Sequence, residues 1–187
     1  LAPDADVAKW QRRIEPVWRP LLGGCHLTRD IPSLLTDAGL THPFPIQVET
    51  LPDTLAGRDV LGRGKTGSGK TLAFSIPLVA RLADHNRQSS RPSGLVLAPT
   101  RELATQITAT LEPLAHAYGL KVTTIFGGVP QGRQVSALKA GVDIVVACPG
   151  RLEDLMRQRL ISLDAVEITV IDEADHMADQ IGRASCR

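Results

Sequence analysis

Five short β-rich runs punctuate the chain, and a polar or glycine-rich signature follows each of them at once. Asp59-Val60-Leu61 leads to Gly64–Thr71, and Gly94–Ala98 leads to Pro99-Thr100-Arg101-Glu102-Leu103. Lys121–Phe126 leads to Gly127-Gly128, Asp143–Ala147 to Cys148-Pro149-Gly150-Arg151, and Glu167–Ile171 to Asp172-Glu173-Ala174-Asp175. The stretches between, about 70–84, 101–117, 131–140 and 151–158, read as helices. Near-continuous apolar strands alternating with helices predict an α/β fold, a mostly parallel sheet with helices on both faces. Ligands of such sheets bind outside the carboxyl ends of the strands. The five signatures are therefore expected along one rim, however far apart they lie in sequence.

Upstream, Ile31, Leu34, Leu35 and Ala38 have helical spacing, with Gly39 as a stop. Pro43-Phe44-Pro45-Ile46-Gln47 then fixes an extended entry to a helix running to about Leu55. Gln47 falls in its first turn, where a side-chain amide offers the paired donor and acceptor that reads the edge of an adenine. Residues 1–24 carry Trp10, Trp18 and the cations Lys9, Arg12, Arg13 and Arg19, with Pro16 and Pro20 interrupting any helix. They are expected to form a partly ordered extension, with a basic RNA-touching arm as the alternative. Residues 25–180 are expected to form one domain, and the polar stretch Asp84–Arg91 a surface loop. The first residue is Leu1, so a fragment is expected. Residues 181–187 resemble the translation of a sequencing adaptor and are expected to be non-native.

Composition narrows the classes. Net charge is +1, so any basic nucleic-acid surface must be local. Aromatics make up 3% of the chain, which argues against a base-stacking sheet surface. Cys25, Cys148 and Cys186 are odd in number and lack C-x-x-C spacing, so neither a disulfide framework nor zinc is expected and a reducing cytoplasmic setting is. The five histidines show no ligand spacing. No apolar run approaches the roughly 20 residues that span a bilayer, and no secretory leader or membrane role is expected.

Gly64-Lys65-Thr66-Gly67-Ser68-Gly69-Lys70-Thr71 fits G-x-x-x-x-G-K-[ST]. Its glycines allow backbone N–H groups to close around phosphate oxygens, and the helix that follows favours negative charge at its start. Lys70 would reach the outer phosphates and the Thr71 hydroxyl would ligate Mg²⁺. An acid ending a strand, as Asp172 does, suits the same metal. The adjacent carboxylate of Glu173 suits orientation and deprotonation of an attacking water.

Gln47 within Pro43–Gln47, the loop Gly64–Thr71, Pro99–Leu103, Gly127-Gly128, Pro149-Gly150-Arg151 and Asp172–Asp175 stand in the order and spacing of DEAD-box RNA helicases. From about Leu22 to Asp179 the chain resembles the first of that family's two RecA-like domains. The resemblance implies ATP and Mg²⁺ as cofactors and RNA as partner. Gln47 would recognise adenine, while Gly64, Thr66, Gly67, Ser68, Gly69, Lys70 and Thr71 would bind the nucleotide. Asp172 would hold the metal beside Thr71, and Lys70, Asp172 and Glu173 would carry catalysis. Pro99, Thr100, Arg101, Gly128, Gly150 and Arg151 resemble the positions that grip the RNA backbone without reading its sequence. Asp175 would join the nucleotide side to the RNA side.

Some positions depart from the family pattern. Leu22 stands near the place of the aromatic that stacks on adenine, with Trp18 as the nearest substitute. Phe44 replaces a threonine, Gly64 an alanine and Cys148 a threonine. The Ser-Ala-Thr segment and the second RecA-like domain, with its arginines, are missing. The chain alone is therefore expected to bind nucleotide and RNA weakly, hydrolyse almost nothing, expose apolar sheet surface and be poorly stable. Two other classes compete: a P-loop ATPase acting on DNA, and a non-catalytic nucleotide- or RNA-binding module.

Overall fold

A computed structural model of the chain describes residues 44–83 and 90–178. The chain forms two compact units, Leu1–Arg81 and Leu82–Arg187. The helix expected from Ile31, Leu34, Leu35 and Ala38, the extension 1–24, the tail 181–187 and most of the 84–91 loop lie outside the described residues.

In the first unit, α1 (Pro45–Leu55) starts from Phe44, whose φ of −70° and ψ of 152° are extended, with proline at the first helical position. A loop carries the chain to α2 (Lys70–Leu82). Residues 59–61, expected as the first strand, form no strand. A run this short makes few ladder bonds, and Leu61, 99% exposed, gains nothing from a pleated surface.

The second unit holds the sheet. Strands β1 (Gly94–Leu97), β2 (Val122–Ile125), β3 (Ile144–Ala147) and β4 (Ile168–Ile171) lie in the order β2-β3-β1-β4, every neighbouring pair parallel. Helices α3 (Arg101–Ala117), α4 (Gly132–Lys139) and α5 (Pro149–Arg157) fill the connections. Their bounds fall within two residues of those read from the sequence.

Side chains alternate across the strands, so the sheet needs cover on both faces. Leu95, Ile125, Val145 and Ala147 share one buried cluster with Leu138 of α4 and with Leu152 and Leu155 of α5. On the other face, Thr108 of α3 meets Thr124 of β2 at 3.0 Å between hydroxyls, and Ala104, Ile107 and Leu111 turn a buried stripe inward. The cover thins at β4, an edge strand among the described residues, where Ile171 is 54% exposed.

Asp143, 3% exposed, ties the amino ends of three strands together. Its carbonyl accepts from the amides of Ser93 and Gly94, both at 2.9 Å, and its carboxylate accepts from the Lys121 amide at 2.7 Å. At the carboxyl ends the ladder continues one residue further. Ala98 donates to Ala147, Cys148 to Ile125 and Asp172 to Leu97, at 3.0, 2.8 and 3.0 Å. These bonds bring the signature after β1, β3 and β4 to one level.

Candidate nucleotide and nucleic-acid site

The first unit builds the phosphate loop. Gly67 and Gly69 both adopt φ of +80°, a region that side chains disfavour. Gly69 is needed twice over, because a Cβ there would lie 2.6 Å from Gln47 Nε2 and 2.7 Å from Phe44 Cδ2. Gln47, 1% exposed, donates from Nε2 to the Gly69 carbonyl at 3.1 Å and accepts the Phe44 amide at Oε1, also at 3.1 Å. One amide thus joins the start of α1 to the end of the loop. The Ser68 hydroxyl is buried with no hydrogen-bond partner among the described residues. A Cβ on Gly64 would stand 2.6 Å from that oxygen, so glycine makes room for it.

Lys70 and Thr71 open α2, whose first-turn amides have no intrahelical acceptors. Lys70 is half-buried and forms no ion pair among the described residues. A left-handed glycine loop, a helix start, an unpaired ammonium and an orphaned hydroxyl fit a polyanion such as a nucleotide's phosphates. The Thr71 hydroxyl is a hard oxygen donor suited to Mg²⁺.

In the second unit the strand ends converge. An open pocket of about 400 Å³ is lined by Pro99, Thr100, Arg101, Glu102, Gly127, Gly128 and Cys148. Three expected signatures, after β1, β2 and β3, therefore meet in one groove. Thr100 caps α3 by accepting the Leu103 amide at 3.2 Å, which seats Arg101 and Glu102 in the first turn. Gly128 has φ of +80°, and a Cβ on it would lie 2.7 Å from Arg101 Nη1. The guanidinium therefore rests on backbone that only glycine leaves bare. Arg101 is more than half exposed and its distance to Glu102 is 3.9 Å, too loose a pair to hold it.

Cys148 caps α5 without a side-chain bond, and Pro149 occupies the first helical position. Burial, and secondly the charge of Glu102, push its thiol above the ordinary range, against a smaller opposing effect of Arg101. Gly150 is exposed, with open space where a Cβ would go. Arg151 donates from Nη2 to the Val129 carbonyl at 3.2 Å, while its Nη1 is buried without a partner among the described residues.

Asp172 is 8% exposed, and its Oδ1 accepts the Glu173 amide at 3.1 Å. Glu173 stands at φ of +50°, in a left-handed conformation unusual for glutamate. Residues 174–178 are helical. Asp175 in that turn is exposed.

The family model described as DEAD/DEAH box helicase matches residues 44–186. The chain belongs to the DEAD/DEAH box helicase family. Among curated relatives, the ATP-dependent RNA helicase RhlB of Sodalis glossinidius is 46% identical over 153 residues, 80% of this chain and 37% of that protein. The DEAD-box ATP-dependent RNA helicase 5 of Arabidopsis thaliana is 46% identical over 143 residues, covering 73% of this chain and 27% of its own length. The chain thus spans about a third of the curated relatives it matches. Among solved structures, the RNA helicase Prp28 from Chaetomium thermophilum bound to ADP superposes with a TM-score of 0.77 at 32% identity, over 96% of this chain and 47% of that one. A hypothetical ATP-dependent RNA helicase from Sulfolobus tokodaii gives 0.72 at 36% identity, over 80% and 42%. The RecA-like α/β fold of this DEAD-box chain is that of these structures.

Three features of the chain escape the sequence motifs. Glu102 lines the groove with Arg101, a placement legible only in that α3 starts there. His176 Nδ1 stands 3.6 Å from Glu173 Oε2, one helical turn on, and i,i+3 spacing carried that signal. Phe44 is the third: its ring lies beside Gln47 and Gly69, twenty-five residues on, and no local spacing shows it.

Proposed function

We propose that this chain is the ATP-binding part of an ATP-dependent RNA helicase, one that holds ATP-Mg²⁺ and the backbone of single-stranded RNA. The observation that carries the RNA half is the groove where Thr100, Arg101 and Gly128 meet. It combines an exposed guanidinium with glycine backbone, and lacks aromatic faces or paired side-chain amides that would read bases. Gly150 and Arg151 extend the same chemistry at the start of α5. A P-loop motor acting on DNA has weaker support, because the matched relatives are RNA helicases by name.

For the nucleotide half, Gly64, Thr66, Gly67, Ser68 and Gly69 wrap the phosphates, Lys70 neutralises them, and Gln47 reads the adenine edge. Thr71 and Asp172 are the proposed Mg²⁺ ligands. The bound metal neutralises charge on the transferred phosphoryl group. Glu173 accepts a proton from the water that attacks the γ-phosphorus as the bond to ADP breaks, giving ADP and phosphate. The ADP bound to the Chaetomium relative supports this reading. A second RecA-like domain, for which the relatives' greater length leaves room, would complete the ATP site and turn closure into strand separation. The chain alone would then turn over little. A reducing, cytoplasmic setting suits the free thiol of Cys148.

The test is RNA-stimulated ATP hydrolysis by the whole protein, wild type against Glu173→Gln. The substitution should preserve ATP binding and abolish turnover. Stimulation by DNA but not RNA would transfer the protein to the translocase class.

A further inference from the structure

We propose that Phe44 is the base-stacking residue of the nucleotide site, resting on the reading that Gln47 and the Gly64–Thr71 loop bind ATP. Phe44 is 39% exposed and is the one exposed aromatic among the described residues of the first unit. Its backbone is pinned by the Gln47 bond to its amide and by Pro45 at the first helical position, while the ring makes no polar contact. The ring edge and Gln47 Nε2 lie 2.7 and 2.6 Å from one and the same point above Gly69. They therefore flank each other over the end of the phosphate loop.

That placement has a consequence for the base. Gln47 is 1% exposed, so a purine edge cannot reach its amide until a neighbour moves. Among the described residues Phe44 lies beside that amide, and two side-chain torsions swing its ring without breaking a hydrogen bond. Once turned, the ring offers an apolar face beside the amide that reads the edge. A flat base bonded along its edge must lay a face on something, and aromatic stacking tolerates any base while adding affinity. The threonine usual at this position has no such face.

The experiment measures binding of ATP and of inorganic tripolyphosphate to the full chain by titration calorimetry, for wild type, Phe44→Ala, Phe44→Trp and Lys70→Ala. Phe44→Ala should weaken ATP about tenfold, within the range of a single base–aromatic stack, and leave tripolyphosphate unchanged. Phe44→Trp should keep ATP affinity, with its indole emission quenched by ATP and not by tripolyphosphate. Unchanged ATP affinity in Phe44→Ala, or an equal loss of both ligands, would overturn the stacking role. Lys70→Ala separates the two claims: it should weaken both ligands. Should it leave ATP affinity intact, the phosphate-loop reading falls, and this inference falls with it.

Discussion

The side-chain amide of Gln47 donates to the carbonyl of Gly69 at 3.1 Å, across twenty-two residues of sequence. The bond fastens the first turn of α1 to the last glycine before Lys70, so any change at Gln47 is felt at the loop that precedes α2. Gln47→Glu keeps an acceptor for the Phe44 amide but loses the donor and sets a carboxylate oxygen against a carbonyl. In so buried a place the expected cost is about 1–3 kcal/mol. Gly69→Ala should cost a similar amount through its φ of +80°. Both are checked by chemical denaturation, and both should also lower ATP affinity.

Gly150 offers a cleaner separation of stability from binding. It is the second residue of α5, with open space at its Cβ position. Alanine there should stabilise the helix by about 0.5–1 kcal/mol. A phosphate approaching the bare backbone would meet the new methyl group. Gly150→Ala should therefore raise the melting temperature and weaken RNA binding, read by fluorescence anisotropy at fixed salt. Weakened RNA binding together with a lower melting temperature would point to damage rather than to a blocked contact.

Much of this arrangement was legible in the chain. Period and punctuation locate α3, α4, α5 and four strands, most plainly where a segment buries a stripe that the sequence spells out, such as Ala104, Ile107 and Leu111 of α3 or all four residues of β3. Asp172 and Thr100 announce themselves as polar residues that end or follow apolar runs. The run at 59–61 misleads, because its apolar letters are indistinguishable from those of β3 while Leu61 finds no cover. Contacts across sequence distance left no trace either. Nothing in Pro43–Gln47 says that the Phe44 ring will meet Gly69, and nothing in Gly127-Gly128 says that Arg101 will lie over it.

Cys148 lines the groove as a neutral thiol. Burial comes first and Glu102 second in raising its pKa, so at neutral pH it should alkylate more slowly than a small free thiol. Glu102→Gln should quicken the reaction and Arg101→Ala should slow it, measured with iodoacetamide on a chain whose Cys25 and Cys186 are serine. The sign for stability follows from the same shift. The folded state keeps its proton where the unfolded state has lost it, so the thiol's contribution is whole below its ordinary pKa and declines as pH rises through the folded value. Cys148→Thr removes that alkaline decline and supplies the missing cap on α5, for a gain of about 1 kcal/mol.

Glu173 presents the opposite balance, a residue whose backbone is unfavourable and whose side chain is needed. Its φ of +50° places a glutamate where asparagine and glycine are the ordinary occupants. What holds it there is local: the Asp172 carboxylate accepts its amide, and its carbonyl accepts the Met177 amide at 3.0 Å. The contact with His176 is half exposed and contributes little. Glu173→Asn should therefore relieve the strain and stabilise the chain by about 1 kcal/mol. It should also abolish ATP turnover by the whole protein, because the shorter amide cannot take a proton from water. Strain of this kind concentrates where function overrides local preference. Denaturation of the chain and turnover of the whole protein, measured for this one variant, should move in opposite directions. A variant that loses stability as well as turnover would show that the left-handed turn at Glu173 is not strained.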